Sequence, residues 1–404
     1  MDFQDSDRVT DLKAQVTDFL TRHVIPSESR YQSEKAEIGP WETPPVIDEL
    51  KDVAGSRGLW NLFLPGERGA GLTNLEYAPL AEISGRSPWI CPEAMNCSAP
   101  DTGNMEILAH FATADVRDRW LGPLLDGRIR SVYSMTEPAV ASSDANNIAT
   151  EIRKDAGGFR IQGRKWWSSG AMSPRCEIAI VMGCSDPDGA RHQRHTMLAV
   201  PLATKGVTIE RSSSVFGYSD SGHGGHAVIH YDDVWVPRDH LLGEWNSGFA
   251  IAQARLGPGR IHHAMRLIGM AERAYDLMCR RVLARFTFGK VVAEQGVVQD
   301  WIAESRIRIE QVRLLVLKTA WLMDTVGNRG AGVEISAIKV AAPEMATWVI
   351  DRAIQAHGGA GVSQDTLLAE LYAQARMLHI ADGPDEVHKM ALARRELRRY
   401  RESG

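Results

Sequence analysis

The side-chain period changes twice along this chain, and that limits the folds open to it. Over residues 6–24 apolar side chains recur at helical spacing: Val9, Leu12, Val16, Phe19 and Leu20. Thr73-Asn74-Leu75-Glu76 has the form of a capping box that opens another helix, and residues 115–125 form a further amphipathic stretch. From about residue 130 to about 240 the pattern shortens. β-Branched and aromatic runs at 177–182, 195–200, 207–211 and 227–236 alternate with Gly, Asp, Ser and Pro clusters, as strands do. After Gly248 the helical stripe returns, for example Val298, Ile302, Ile309, Val312, Val316, Ala320 and Met323. Helices are expected at 249–285, 297–326, 333–356 and 367–380, with the short joints of a bundle. The expected class is α+β multidomain: a helical domain over 1–130, a β domain over 131–245 and a four-helix bundle over 246–404.

The 404 residues carry a net charge of -5, which disfavours bulk affinity for nucleic acid or an anionic membrane. Five cysteines, an odd count with no CxxC pair, argue for a reduced compartment and against a disulfide frame or a zinc site. The acidic start, Met1-Asp2-Phe3-Gln4-Asp5, has no apolar h-region, and no run of 18 apolar residues suggests a membrane span. The final Arg401-Glu402-Ser403-Gly404 matches no lipidation or peroxisomal signal, so a soluble cytoplasmic protein is expected. The basic run 394–401 carries Leu397 and Tyr400 at helical spacing and reads as a solvated helix end.

Four segments carry chemistry. Residues 134–144 (SMTEPAVASSD) form a small-residue loop whose hydroxyls and backbone donors can approach a flat ring or a phosphate. Equally, this composition fits an ordinary surface loop. Lys165-Trp166-Trp167-Ser168-Ser169-Gly170 pairs stacking surface with hydroxyls, with Trp166 the better candidate for the sheet core. Arg285-Phe286-Thr287-Phe288-Gly289-Lys290 suits a pyrophosphate and a base, or else a positive helix end with a glycine stop. The fourth is Gln355-Ala356-His357-Gly358-Gly359-Ala360-Gly361 with Ile380-Ala381-Asp382-Gly383-Pro384-Asp385. Asp382, between two helices, can project into a cavity or merely cap a helix. The glycine-rich 221–226 lacks the dinucleotide spacing and reads as a turn, and His223, His226 and His230 are weak metal candidates.

Taken in order, Thr136-Glu137-Pro138, Trp167-Ser168-Ser169, the segment 285–290 and the segment 355–361 resemble the acyl-CoA dehydrogenase family. The similarity runs from about residue 58 to about residue 397. Ala381-Asp382-Gly383-Pro384-Asp385-Glu386-Val387-His388 and Cys97 through Glu106 are similar to the branch that in animals includes the members numbered ten and eleven. The resemblance implies a helical domain, a middle β-barrel and a C-terminal four-helix bundle around FAD, in a homodimer or homotetramer. It implies that Met135 and Thr136 face the flavin's pyrimidine side, and that Trp167 and Ser169 lie against the isoalloxazine ring. Arg285 and Phe288 would meet the FAD pyrophosphate and adenine, with Gln355 and Gly359 contributed across the dimer. Ser143 and Arg260 would touch the CoA portion, and Asp382 would replace the family's usual glutamate base.

The implied reaction is α,β-dehydrogenation of an acyl-CoA thioester to the trans-2-enoyl-CoA, with electrons passed to an electron-transferring flavoprotein. Aspartate is one methylene shorter than glutamate, so reach must be recovered elsewhere. Ala139-Val140-Ala141 replaces the commoner Gly-Ala-Gly in a loop one residue longer, and Asp144 sets the register that selects Ser143. Rival readings are a nitroalkane-oxidase-like enzyme, which also uses an aspartate, and a DNA-binding flavoprotein of the same fold, against which the charge of -5 speaks.

Overall fold

A computed structural model describes residues 4–402; Met1–Phe3 and Ser403–Gly404, used above in reading the chain ends, lie outside the described residues. The helices are α1 (Asp7–Phe19), α2 (Ile25–Glu37), α3 (Pro45–Ser56), α4 (Asn74–Ser84), α5 (Cys91–Ala94), α6 (Asp101–Phe111), α7 (Ala114–Val116), α8 (Gly122–Leu125), α9 (Gly248–Leu283), α10 (Gly296–Gly330), α11 (Gly332–His357), α12 (Leu368–Met377) and α13 (Asp385–Glu402). The strands are β1 (Arg130–Ser134), β2 (Glu151–Asp155), β3 (Gly158–Ser169), β4 (Cys176–Cys184), β5 (His195–Pro201), β6 (Val207–Ser213), β7 (His226–Pro237), β8 (Leu241–Leu242), β9 (Phe286–Thr287) and β10 (Lys290–Val291). Among the described residues no helix is long and apolar enough to cross a membrane.

The chain divides into two compact units. One gathers residues up to Pro26, Arg57–Pro92 and Arg260 onward; the other holds Ser27–Ser56 and Glu93–Gly259.

The first unit is helical. Thr73 caps α4: its hydroxyl accepts the Glu76 N–H at 3.2 Å, and the Glu76 carboxylate accepts the Thr73 N–H at 2.9 Å. The Asp324 carboxylate takes the N–H groups of Asn74 and Leu75, both at 2.9 Å, so α10 also satisfies the start of α4. Thr73→Ala is expected to cost about 1 kcal/mol, read as a lower urea midpoint with unchanged slope. Arg313 on α10 binds Glu82 of α4 at 2.9 Å and also reaches Glu272 of α9. Glycine lets α4 and α9 meet at backbone distance: a Cβ on Gly269 would stand 2.0 Å from the Glu82 carbonyl oxygen. The α10 stripe is buried at Val298, Ile309, Val312, Val316, Ala320 and Met323, while Ile302 of the same stripe is half-buried. The helix kinks at Gly327, which has a φ of 72°.

The second unit is built on an eight-stranded sheet in the order β6-β7-β3-β2-β4-β5-β8, with β1 joined in parallel to β4. Its core is the alternate face of these strands: Ile152, Ile161, Val181, Val200, Ile229 and Tyr231 are all buried. The register of β3 against β7 shifts between Lys165 and Ser168. That bulge places the tandem tryptophans.

Candidate active site

The side chains that the sequence singles out fall into two groups, one in each unit.

In the sheet unit the loop after β1 is tied down by a buried ion pair. Lys165, fully buried, donates to Glu137 at 2.7 Å, to the Met135 carbonyl at 2.8 Å and to the Met182 carbonyl at 2.6 Å. Glu137 in turn accepts the N–H groups of Ala149 and Thr150, each at 2.8 Å. The Thr136 carbonyl accepts the Trp166 N–H at 3.0 Å. Ser142 is turned inward and accepts the Glu137 N–H at 2.9 Å, while Ser143 is exposed.

Trp167 sits at a φ of 52°, a left-handed conformation that an aromatic residue rarely adopts. The bulge turns its ring outward, 36% exposed, whereas Trp166 is half-buried. Ser169 is paired across the strands with His226, and its hydroxyl lies 2.9 Å from His226 Nδ1.

The expected turn at 221–226 is a 3-10 turn followed by Gly224 and Gly225, both at positive φ. The carboxylate of Asp220 draws in two of the histidines, bonding His223 Nδ1 at 3.0 Å and standing 3.8 Å from His226 Nε2. His230 instead faces Glu210 at 3.3 Å. Among the described residues no group of three or more His, Cys, Asp or Glu is placed to hold a metal ion.

Glu106 on α6 is buried, and burial pushes its carboxyl up to about 8 against the pull of Arg255. The Arg255 guanidinium packs 4.0 Å over the Tyr133 ring.

In the helical unit α12 ends at Met377, earlier than the sequence suggested, and Asp382 stands in the turn before α13. Asp382 is left-handed, with a φ of 57°, and Gly383 follows at 102°. The turn is held from several sides. Arg260 Nε and His388 Nε2 both donate to the Asp382 carbonyl, at 3.1 and 3.2 Å. Lys339, buried on α11, donates to the Leu378 carbonyl at 2.6 Å. His379 Nδ1 bonds the Asp385 carboxylate at 2.6 Å. A Cβ on Gly383 would meet His388 Nε2 at 2.9 Å, so the turn needs glycine there. The Asp382 carboxylate is partly buried and lies 3.8 Å from His263 Nε2. Burial pushes Lys339 down to about 8 and His388 down to about 4. His388 therefore presents a neutral ring at pH 7, with its hydrogen on Nε2 toward the carbonyl. Arg260, expected at CoA, donates from Nε to the Asp382 carbonyl.

The segment 285–290 is not the helix end that was one of its readings. α9 stops at Leu283, and β9 and β10 form a small hairpin whose turn residues, Phe288 and Gly289, both have positive φ. Such a turn follows the twist of its strands, which explains the departure. It leaves Arg285 and Phe288 on the surface, the latter 94% exposed. Gln355 and Gly359 are exposed at the end of α11, beside the positive φ of Gly358.

The residue set fits a flat, multiply hydrogen-bonding cofactor. The outward Trp167 ring adjoins Trp166, whose buried Nε1 has no hydrogen-bond partner among the described residues. Lys165 lies inside a segment singled out from the sequence in which only its neighbours carry roles, and His226 is weighed there only as a weak metal candidate.

Comparison with known proteins bears on the same segments. Residues 6–128, 132–234 and 246–397 match the N-terminal, middle and C-terminal domains of acyl-CoA dehydrogenase. The chain is 57% identical over 401 residues to "Probable acyl-CoA dehydrogenase FadE2" of Mycobacterium tuberculosis, covering 99% of this chain and 98% of that one. It is 51% identical to "Acyl-CoA dehydrogenase family member 10" of Mus musculus, covering 97% of this chain but 37% of that longer protein. A solved Mycobacterium abscessus chain, 49% identical, superposes with a TM-score of 0.95 over 98% of this chain and 100% of that one. By these matches across its whole length, the chain belongs to the acyl-CoA dehydrogenase family of flavoprotein oxidoreductases.

Proposed function

We propose that this protein binds FAD and dehydrogenates an acyl-CoA thioester to the trans-2-enoyl-CoA, with Asp382 as the base. The observation that carries the reading is the Asp382 turn. A surface carboxylate needs no such support, yet Arg260, His388 and Lys339, from three helices, fix the backbone on which this one stands. A rigidly held base can meet one particular proton.

When bound, FAD supplies the hydride acceptor that the protein itself lacks. Met135, Thr136, Trp167 and Ser169 hold its ring. Arg285 and Phe288 take the pyrophosphate and adenine, with Gln355 and Gly359 serving the same cofactor from a second subunit of a homodimer. Ser143 and Arg260 face the CoA portion. Asp382 removes the α-proton, and a backbone N–H beside it stabilises the developing enolate charge. An electron-transferring flavoprotein reoxidises the enzyme.

The test is anaerobic titration of the yellow holoenzyme with a panel of acyl-CoAs of differing length and branching. At least one is expected to bleach the flavin band stoichiometrically. A protein that cannot take up FAD, or one bleached by nitroethane with no response to any acyl-CoA, overturns the proposal; the second outcome selects the nitroalkane-oxidase alternative.

A further inference from the structure

We propose that His226, backed by Asp220, is a positioning residue that sets the direction of the Ser169 hydroxyl and thereby the reduction equilibrium of the bound flavin. The inference rests on the flavin reading above.

Ser169 and His226 are a cross-strand pair of β3 and β7, so the 2.9 Å contact between hydroxyl and Nδ1 is fixed by sheet register. The imidazole is 2% exposed, and its other nitrogen has no hydrogen-bond partner among the described residues. The Asp220 carboxylate stands 3.8 Å from that nitrogen. The turn carrying Asp220 is tightly built. Its carbonyl accepts the N–H groups of His223 and Gly225, at 3.0 and 3.1 Å. A Cβ on Gly225 would come within 2.5 Å of the Trp41 ring. The remaining titratable groups facing this cluster are His223 and Lys35 around Asp220, and Glu93 toward His223. The carboxyl of Asp220 is driven up by burial, but the hydrogen-bonded His223 prevails and holds it low, so it is an anion. Burial of His226 lowers its affinity for a second proton, which leaves a neutral ring.

A neutral imidazole carries one hydrogen, and its location decides what Ser169 can do. An anionic neighbour favours the hydrogen on Nε2. Nδ1 is then an acceptor, Ser169 donates to it, and the lone pairs of the hydroxyl face away from His226. A hydroxyl presented in this way can accept a hydrogen bond. It favours a ring whose nitrogen has gained a hydrogen over one whose nitrogen is bare. No proton is gained or lost by the pair; only the hydroxyl rotor and the tautomer are set.

The experiment measures FAD affinity and the two-electron midpoint potential of the holoenzyme and its variants. His226→Leu is expected to keep FAD affinity within about threefold. Its reduction equilibrium should shift about tenfold against the reduced form, about 30 mV lower for a two-electron couple. His226→Asn, whose side-chain oxygen can replace the Nδ1 acceptor, should restore most of the shift, and Asp220→Asn should produce part of it. Should His226→Leu fail to fold, Ser169→Ala is expected to shift the equilibrium in the same direction by less than tenfold, and an unmoved potential there overturns the inference. A His226→Leu holoenzyme with an unchanged potential overturns the inference. So does a His226→Asn protein displaced as far as His226→Leu, because the effect would then be packing. A wild-type protein that takes up no FAD defeats the flavin reading itself, a result distinguishable from an unmoved potential.

Discussion

Asp382→Asn will give a yellow, folded enzyme whose bleaching by acyl-CoA is slower by about a hundred- to ten-thousand-fold, the usual contribution of a positioned general base. Asparagine is the informative replacement because of the backbone. Asp382 is left-handed, with a φ of 57°, a conformation that Asn tolerates and that β-branched or bulky residues do not. The bonds from Arg260 Nε and His388 Nε2 go to its carbonyl oxygen, not to the side chain. The amide therefore occupies the place of the carboxylate with nearly the same shape and no basicity. Nothing in the FAD-binding set proposed above includes this side chain, so cofactor affinity should be unchanged. The measurement is stopped-flow bleaching of the oxidised flavin band, with FAD content checked in parallel. A variant that bleaches at the wild-type rate removes Asp382 from the mechanism. A colourless variant would instead mean that the joint between α12 and α13 also supports the cofactor.

How far the sequence reaches depends on the range over which each feature is encoded. The capping box at Thr73 and the buried stripe of α10 are local patterns, and the structure has both. The strands at β4, β5, β6 and β7 also follow from short apolar runs. The strands β2 and β3 were not singled out, because charged residues such as Arg153, Arg160 and Lys165 interrupt their alternation. Lys165 is the instructive case: a lysine reads as surface, yet here it is fully buried because Glu137 and two carbonyls satisfy its hydrogens. The 286–291 hairpin was hidden for a different reason. Its turn demands a left-handed Phe288, which no propensity favours. Most distant from the sequence is the pairing of Ser169 with His226, which lies 57 positions away and exists only through sheet register. Asp382 was legible through family resemblance, and His388 lies in the same motif, but Arg260 reaches the carbonyl from 122 positions away and carries no local signal.

Lys165→Met should lower stability by about 3–5 kcal/mol, the cost typical of leaving one member of a buried pair behind. Lys165 and Glu137 are both buried, so solvent does little to replace the lost partner. The pH dependence gives the prediction its sharper form. In the native protein burial pushes the Glu137 carboxyl up, but Lys165 and the hydrogen bonds from Thr150 and Ala149 prevail, and its pKa lies below the ordinary value. Such a group contributes stability above the unfolded pKa of 4.5, which is lost as pH falls through the lowered folded value. Without Lys165 the largest remaining influence is desolvation, which raises the carboxyl instead. The variant then binds a proton on folding, and its deficit should shrink as the pH is lowered from about 7 toward 5. The lysine's own shift acts at the other end of the scale. Burial lowers it to about 8 from 10.5, so the burial cost of the ammonium is full below pH 8 and is relieved as pH rises through that window. Urea unfolding at several pH values reads both effects. A deficit that stays constant between pH 7 and 5 would show that the Glu137 charge is not what the lysine sustains. Because the same ammonium holds the Met135 carbonyl, FAD affinity should fall in parallel with stability, while Glu137→Gln combined with Lys165→Met should recover much of the unfolding free energy, since the buried charge is then gone from both sides.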